Sequence, residues 1–546
     1  MEIQMTDATT TRPNFVLILV DDMGFSDIGC YGSEIRTPNL DSLARGGMRF
    51  SQMYNYARCC PTRACMLTGA YPHQAGIGHM MENSGSPAYQ GYLREDVVTI
   101  AEALKTGGYR TFMSGKWHVG GAYDPTRPHT WRPGEEGHPT PRQRGFDRYY
   151  GTLDGAGSFF SPYSLMEDDS FVQTGEELGS QEKGQGDQSV ASDSYYYTDA
   201  ISEQAAKMIG EASQSDDPFF LYVAYTAPHW PLHALPEDIA KYEGIYRKGG
   251  WDALRTARHE ELKGMGLLDS RWDISPRDES APPWEDARNR DWEDMRMAVY
   301  AAQIDRMDQG IGRILDALRD SQLDDNTLVL FLSDNGGCAE FLAENGWVDR
   351  YSDWTPDGRP MRVGNDPGIR PGGPHTFMSY DLPWANASNA PFRLYKHWVH
   401  EGGISTPLIA YWPSTIQPSQ IVHEACHIID ILPTFLDAAG IPHPAEYNGR
   451  PLQPLEGESF LPLLRGGKWS RQSHIFWEHE GNRAVRLGQW KLVSKHGDSW
   501  ELYDMQEDRT ELNDLSDRNR PKVEEFAGLY RDWAERVGVL PWPLSG

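Results

Sequence analysis

Cys59-Cys60-Pro61-Thr62-Arg63, followed by Leu67-Thr68-Gly69, gathers a thiol, a helix start and a guanidinium in one short segment. Pro61 suits the first position of a helix and Gly69 its end. This places Cys59 just before a helix N-terminus, with Arg63 about one turn further in. Free N–H groups, the positive end of the helix dipole and Arg63 then converge on one sulfur. That arrangement suits an anionic group held against a nucleophile. A buried Cys in a tight loop explains the same residues without chemistry, since free Cys behaves as a small hydrophobe.

Acidic pairs follow two apolar runs. Phe15–Val20 leads into Asp21-Asp22, and Leu328–Leu332 leads into Ser333-Asp334-Asn335-Gly336-Gly337. In an open parallel α/β sheet, ligands sit beyond the carboxyl ends of the strands. The two pairs can therefore meet on one edge. Asp21, Asp22, Asp334 and Asn335 offer only carboxylate and amide oxygens. Hard divalent cations take such ligands: Ca²⁺ accepts six or more in flexible geometry, and Mg²⁺ keeps more water. Zinc would want His or Cys. A turn or cap is the plain alternative for a single pair.

Basic groups follow other strands. Lys116 and His118 come after Arg110–Met113, and His229 after Phe219–Tyr225, in Ala227-Pro228-His229-Trp230-Pro231. Lys396 and His400 precede Glu401-Gly402-Gly403 and the run Leu408–Trp412. Singly, each reads as a surface or packing residue. Together they supply the local positive focus that an anion would need in a chain of net charge −28. One mismatch stands out. A hard cation and a soft thiolate are poor partners, so an oxygen species at position 59 would fit better than a plain Cys.

The elements that must position these groups are short. Phe15–Val20, Arg110–Met113, Phe219–Tyr225, Leu328–Leu332 and Leu408–Trp412 read as buried strands. Asn39–Arg45 reads as a helix with Thr37 as cap, Pro38 at its start and Gly46 at its end. Ile304, Met307, Ile311, Ile314, Leu315 and Leu318 recur at helical spacing. The expected fold is α/β: a large, mostly parallel mixed sheet sandwiched by helices. Long irregular stretches at 120–146, 158–193 and 338–389 are candidates for a pocket rim. From about Trp469 the texture changes. His474–Trp477, Ala484–Leu487, Lys491–Ser494 and Glu501–Tyr503 read as an antiparallel meander, closed by a helix near Pro521–Arg536. The expected division is a catalytic domain over 1–468 and a smaller antiparallel-sheet subdomain over 469–546.

Composition limits the function classes. A hydrophobic share of 39% with 18 Trp indicates a globular protein with a real core, and the strong negative charge argues against nucleic acid and anionic membranes as partners. The polar start, Met1 to Arg12, lacks a secretory pattern, and no apolar stretch is long enough to span a bilayer. Six Cys, three of them within seven residues, make no disulfide framework. The expected setting is reducing and cytoplasmic.

Taken in order, these motifs resemble the type I sulfatases of the alkaline phosphatase superfamily. The likeness rests on Asp21-Asp22, Cys59-x-Pro61-x-Arg63 with Leu67-Thr68-Gly69, Gly115-Lys116-Trp117-His118-x-Gly120, Pro228-His229, Asp334-Asn335-Gly336-Gly337, Lys396 before Glu401-Gly402-Gly403, and Glu501-Leu502-Tyr503-Asp504. It is nearest to bacterial arylsulfatases, especially in Ala227–His233 and Lys396–Thr406. The resemblance implies an alkaline-phosphatase-like fold. It also implies that a separate maturation enzyme converts Cys59 to Cα-formylglycine, whose hydrate resolves the mismatch above. One Ca²⁺ would be held by Asp21, Asp22, Asp334, Asn335 and the group at position 59. Arg63, Lys116 and Lys396 would neutralise or order the charged centre. Asp334 would be the base for attack, His229 with Lys396 would protonate the leaving group, and His118 would help expel sulfate. The implied substrate is a small aryl sulfate, with Trp230, Trp384, Tyr163 and Tyr380 as candidates to receive the ring. Alternatives are a sulfated sugar or alkyl sulfate, a phosphate or phosphonate ester, and a catalytically silent metal- or sulfate-binding protein.

Overall fold

Phe15–Val20 is apolar at every position, which suits a strand covered on both faces. A computed structural model of the chain describes residues 12–124, 127–172, 195–343, 358 and 360–544. In it β1 spans Asn14–Val20 and is buried throughout. Its side chains alternate between two cores. Phe15, Leu17 and Leu19 join one cluster, and Val16, Ile18 and Val20 join the other. A period of two along a strand makes this division unavoidable.

The other strands of the main sheet are β2 (Met48–Tyr54), β3 (Arg110–Gly115), β4 (Arg148–Thr152), β5 (Leu165–Glu167), β6 (Ser170–Phe171), β7 (Phe219–Ala224), β8 (Thr327–Ser333), β9 (Ser405–Tyr411), β10 (Gln420–Val422) and β11 (Cys426–His427). Their spatial order is β10-β2-β9-β8-β1-β7-β3-β4-β5-β6, with β11 also paired to β2. The central run β8-β1-β7-β3-β4 is parallel. β9 starts three residues earlier than its apolar run suggests and lies antiparallel to both β2 and β8, which makes the sheet mixed.

Helices cover both faces. α1 (Pro38–Gly46) and α2 (Cys59–Thr68) flank β2, α3 (Tyr197–Ala212) packs on β3 and β7, and α4 (Arg290–Asp320) runs for 31 residues across α3. The apolar spacing from Ile304 to Leu318 marks only the second half of α4. Thr37 is the N-cap residue of α1, as expected, but its side chain makes no capping bond. Its hydroxyl accepts from the Gly29 N–H and faces Asp41, while the Asp308 carboxylate takes the N–H groups of Asn39 and Leu40 at 3.1 and 2.9 Å. A carboxylate from a neighbouring helix satisfies the orphan donors better than a hydroxyl.

The C-terminal meander forms as expected. β12 (Ile475–His479), β13 (Asn482–Leu487), β14 (Trp490–Ser494) and β15 (Glu501–Asp504) pair in sequence order, and α5 (Arg520–Val537) closes the chain. Trp477, Val485, Leu492 and Trp533 belong to the same apolar cluster as Leu17 and Leu67. A buried ion network ties the two sheets together. Glu401 accepts from Lys491 at 2.8 Å, Arg509 at 3.0 Å and the Tyr54 hydroxyl at 2.9 Å. Among the described residues no helix is long and apolar enough to cross a membrane. Residues 1–11, 125–126, 173–194, 344–357 and 359, which include parts of all three long stretches, lie outside the described residues.

Candidate active site

Four parallel strands deliver their carboxyl ends to one edge. β1 ends at Asp21-Asp22, β8 at Asp334-Asn335, β3 at Lys116 and β7 just before His229. α2 brings Cys59 and Arg63 to the same edge. The helix begins at Cys59 itself, two residues before the start suggested by Pro61, because extended Arg58 (φ −148°, ψ 146°) is the N-cap. Pro is harmless anywhere in a first turn, where its missing N–H has no partner to lose. Gly69 does end the helix, at φ 65°, with its N–H on the Cys65 carbonyl.

A second glycine-rich segment closes the edge. Gly336 N–H donates to the Gly403 carbonyl at 3.1 Å. A Cβ on Gly336 would lie 2.1 Å from the Gly402 carbonyl oxygen, so the backbones meet where no side chain fits. This contact sets the Glu401-Gly402-Gly403 turn, and Lys396 before it, against the Asp334 loop.

The charged groups interlock. Arg63 donates to Asp334 at 2.7 Å and lies 3.4 Å from Asp21. Lys116 Nζ is 2.5 Å from Asp21 Oδ2. Lys396 Nζ lies 2.8 and 2.9 Å from the two oxygens of Asp22, and 3.4 Å from His229 Nε2. Asn335 donates its amide to Asp22 at 2.7 Å. His229 Nδ1 faces the Trp230 carbonyl at 2.5 Å, which leaves Nε2 toward Asp22 at 3.3 Å. His118 Nε2 is 3.3 Å from the Cys60 sulfur.

All of these side chains are buried, so their ionisation reflects one another. Burial opposes ionisation of Asp21, but Lys116, His229 and Arg63 outweigh it and hold the carboxyl below its ordinary range. Burial, then the charge of Asp21, pushes Asp334 well above that range. Burial opposes the charge of Lys396, yet Asp22 more than offsets it and the ammonium is held well above its usual value. Burial and Lys116 push His118 down to about 4. The bond from Cys60 pulls the Cys59 thiol well below its usual value against the effect of burial.

The donor set fits a hard cation. Asp21 Oδ1 and Asn335 Oδ1 are buried with no hydrogen-bond partner, although the other atoms of both groups are well bonded. Arg63, Lys116 and Lys396 leave these two oxygens unbonded, and carboxylate and amide oxygens are the ligands a hard cation takes.

Above this centre opens a cleft of about 440 Å³. Cys59, His118, His229 and Lys396 form its floor; Met80, Met81, Tyr123 and Trp230 give it apolar wall. Of the four aromatic residues expected there, only Trp230 lines it. Trp384 packs among Trp251, Trp284 and Tyr246, Tyr380 stacks on Tyr300, and Tyr163 lies outside the wall. His400 is also elsewhere, buried 3.5 Å from Glu501. Sequence reasoning missed Arg58 and Glu340. Glu340 accepts from Arg58 at 2.7 Å and from the Trp230 indole at 2.8 Å at the cleft mouth. The only signal was position: Arg58 adjoins Cys59, and Glu340 follows the Asp334 loop. Cys60, the unassigned position of Cys59-x-Pro61, touches His118 through its sulfur.

A mostly parallel sheet that gathers carboxylates and cations at one edge suits a hydrolase of oxyanion esters. The sulfatase family model matches residues 13–441, and a model of the N-sulphoglucosamine sulphohydrolase C-terminal region matches residues 392–527. The chain is 33% identical to an uncharacterized sulfatase of Schizosaccharomyces pombe, covering 98% of this chain and 96% of that one. It is 32% identical to an arylsulfatase of Klebsiella aerogenes, covering 86% and 95%. Among solved structures, Ps i-CgsB superimposes with a TM-score of 0.65 at 24% identity, over 96% of this chain and 93% of that one. A protein solved with its substrate D-glucosamine-2-N,6-O-disulfate gives a TM-score of 0.60 at 20% identity, over 96% and 98%. These structural likenesses concern the fold. The chain belongs to the sulfatase family and is a sulfuric ester hydrolase.

Proposed function

We propose that this protein is an arylsulfatase that uses one calcium ion and a formylglycine formed from Cys59 by a separate maturation enzyme. One observation carries the reading. Cys59 heads α2 inside the pocket where Asp21, Asp22, Asp334 and Asn335 meet three buried cationic side chains. The arylsulfatase name of the Klebsiella relative and the apolar cleft wall support an aromatic leaving group.

Asp21, Asp22, Asp334 and Asn335 would hold the cation. Together the ion and the hydrated aldehyde supply a Lewis acid and an oxygen nucleophile, which removes the hard–soft mismatch with a thiol. The chain's own residues do the rest. Lys116 and Lys396 place positive charge on two sides of the anion site before substrate arrives, and such preorganisation is often the largest catalytic contribution. Arg63 holds Asp21 and Asp334 in register with α2. Asp334 would take a proton from the group at position 59. His229 keeps Nδ1 on the Trp230 carbonyl and turns Nε2, beside Asp22 and Lys396, to the cleft, where it would pass a proton to the leaving oxygen. His118 presents Nε2 to the start of α2, where it can accept the proton whose loss releases sulfate.

The test compares kcat/KM for an aryl sulfate, the matched phosphate mono- and diesters, and a sulfated monosaccharide, with mass spectrometry of the peptide containing Cys59 on the same sample. We expect the aryl sulfate to lead and residue 59 to show sulfur replaced by oxygen with loss of two hydrogens. An unmodified thiol in fully active enzyme would overturn the nucleophile, and a faster phosphate ester or sugar sulfate would overturn the substrate class.

A further inference from the structure

Apart from the catalytic centre, four side chains from three distant segments meet at one point. His79 follows the short helix Pro72–Ala75, and His397 follows Lys396. His479 ends β12, and Glu480 sits in the turn to β13. Glu480 Oε1 lies 2.9 Å from His79 Nε2 and 3.7 Å from His479 Nε2, while Oε2 lies 3.0 Å from His397 Nδ1. The His79 and His397 rings both stand against the His479 ring, with centroids 5.5 and 5.6 Å away. His479 is fully buried, and neither of its ring nitrogens has a hydrogen-bond partner. Buried polar atoms are almost always satisfied, so this imidazole is aimed at something.

We propose that His79, His479 and Glu480, with His397 as fourth donor, form a second cation site, for a zinc-type divalent transition ion. Three imidazoles and one carboxylate are donors that zinc accepts and that calcium does not seek. Ligands on tetrahedral zinc, with bonds of about 2.0–2.1 Å, stand about 3.3 Å from one another. Ligand atoms of His79, His479 and Glu480 already lie within 4.8 Å of one another, and the two separations to Glu480 Oε1, 2.9 and 3.7 Å, fall either side of the tetrahedral value, while His397 Nδ1 approaches the other oxygen, Oε2, at 3.0 Å. Burial keeps His479 neutral, with a lone pair free to bind. An open cavity of about 300 Å³, lined in part by His397 and Glu480, gives an entry path.

The location gives the site a role. It pins the β12–β13 hairpin to the segment that carries Lys396, so an ion there stiffens the support of one active-site cation. A metal-free ion-pair cluster of the same residues is the competing outcome.

The experiment uses full-length enzyme without an affinity tag, with Ca²⁺ in excess. Zn²⁺ is titrated by calorimetry, and Co²⁺ is added as a spectroscopic probe. We expect saturable uptake of one Zn²⁺ per chain and a Co²⁺ spectrum of four-coordinate type. His79 and His397 are 24% and 28% exposed, so His79→Gln and His397→Gln test the site without disturbing the buried His479. Each should weaken Zn²⁺ binding by about 100-fold or more, and His79→Gln should abolish the zinc-induced rise in Tm. The absence of saturable binding overturns the proposal. So does binding that survives His79→Gln unchanged, as would follow from uptake at Cys59, Cys60 and His118 instead.

Discussion

Lys396 Nζ and the Asp22 carboxylate lie 2.8 Å apart, joined across 374 residues of chain and buried at the floor of the cleft. The same ammonium is 3.4 Å from His229 Nε2. One residue therefore balances a cation-site carboxylate and faces the proposed proton donor. Lys396→Met removes that charge while keeping most of the volume. We expect kcat/KM for an aryl sulfate to fall by about 10²–10³-fold, with the circular dichroism spectrum unchanged. Wild-type turnover in this variant would remove Lys396 from the mechanism.

Cys59→Ser keeps a hydroxyl but has no second oxygen with which to expel sulfate. The variant should fold, bind calcium and stop after one sulfuryl transfer. Rapid-quench kinetics and the intact mass would reveal a stoichiometric burst and a sulfated serine. Continuous turnover by the serine enzyme contradicts the role given to position 59.

Chelation should destabilise the protein as well as silence it, because Asp21 Oδ1 and Asn335 Oδ1 are left buried without a partner. Calcium at ~100 times its dissociation constant contributes ~2.7 kcal/mol of stability through binding alone. Tm should therefore drop with EGTA and recover with added Ca²⁺. Asp21→Asn should blunt both responses, since Asp21 Oδ1 is one of the two unpartnered oxygens. An EGTA-insensitive Tm argues against a cation among these carboxylates.

Gly336 tests the support rather than the chemistry. A methyl group here meets the Gly402 carbonyl at 2.1 Å and must push the Asp334 loop away from the Lys396 segment. Gly336→Ala should cost ~1–3 kcal/mol in urea unfolding and lower kcat more than it raises KM. Full stability and activity in that variant would show that the two backbones need not approach so closely.

Glu401 carries an acid-dependent part of the stability. Burial disfavours its charge, but Lys491 and Arg509 prevail and its pKa is held down to about 2. The folded value lies below the unfolded value of ~4.3, so the contribution is complete above that pH and is lost as pH falls through about 2. Glu401→Gln leaves Lys491 and Arg509 without that charge and should cost ~3–5 kcal/mol at neutral pH. The gap between variant and wild type should narrow in acid. Equal stability at neutral pH would mean that the network contributes nothing.

Much of the fold was legible because buried strands carry their own signal. The runs at 15–20, 219–225 and 328–332 are apolar throughout, and each, with the mixed run at 110–113, forms a central parallel strand. The meander after residue 474 was legible as four short runs close together in sequence, which pair in that order. The antiparallel direction of β9 was not, since a buried run looks the same in either direction. The start of α2 was misplaced by two residues because Pro61 is compatible with several first-turn positions. Thr37 does stand at the N-cap of α1, but a carboxylate on α4, 268 residues from Leu40, takes the donors its hydroxyl would have bonded, and nothing local signals that.

By itself the sequence determined the chemical inventory: oxygen ligands after two strands, cations after others, and a thiol at a helix start. Residue type and strand ends are local properties, so they could be read without coordinates. Only the tertiary structure decided which of these groups meet. It brought Arg63 onto Asp334 and Lys396 onto Asp22, left His400, Trp384 and Tyr380 elsewhere, and assembled His79, His397, His479 and Glu480 from three segments. Those meetings depend on strand order and on close backbone approach such as Gly336 against Gly402, which are long-range packing outcomes that no local periodicity encodes.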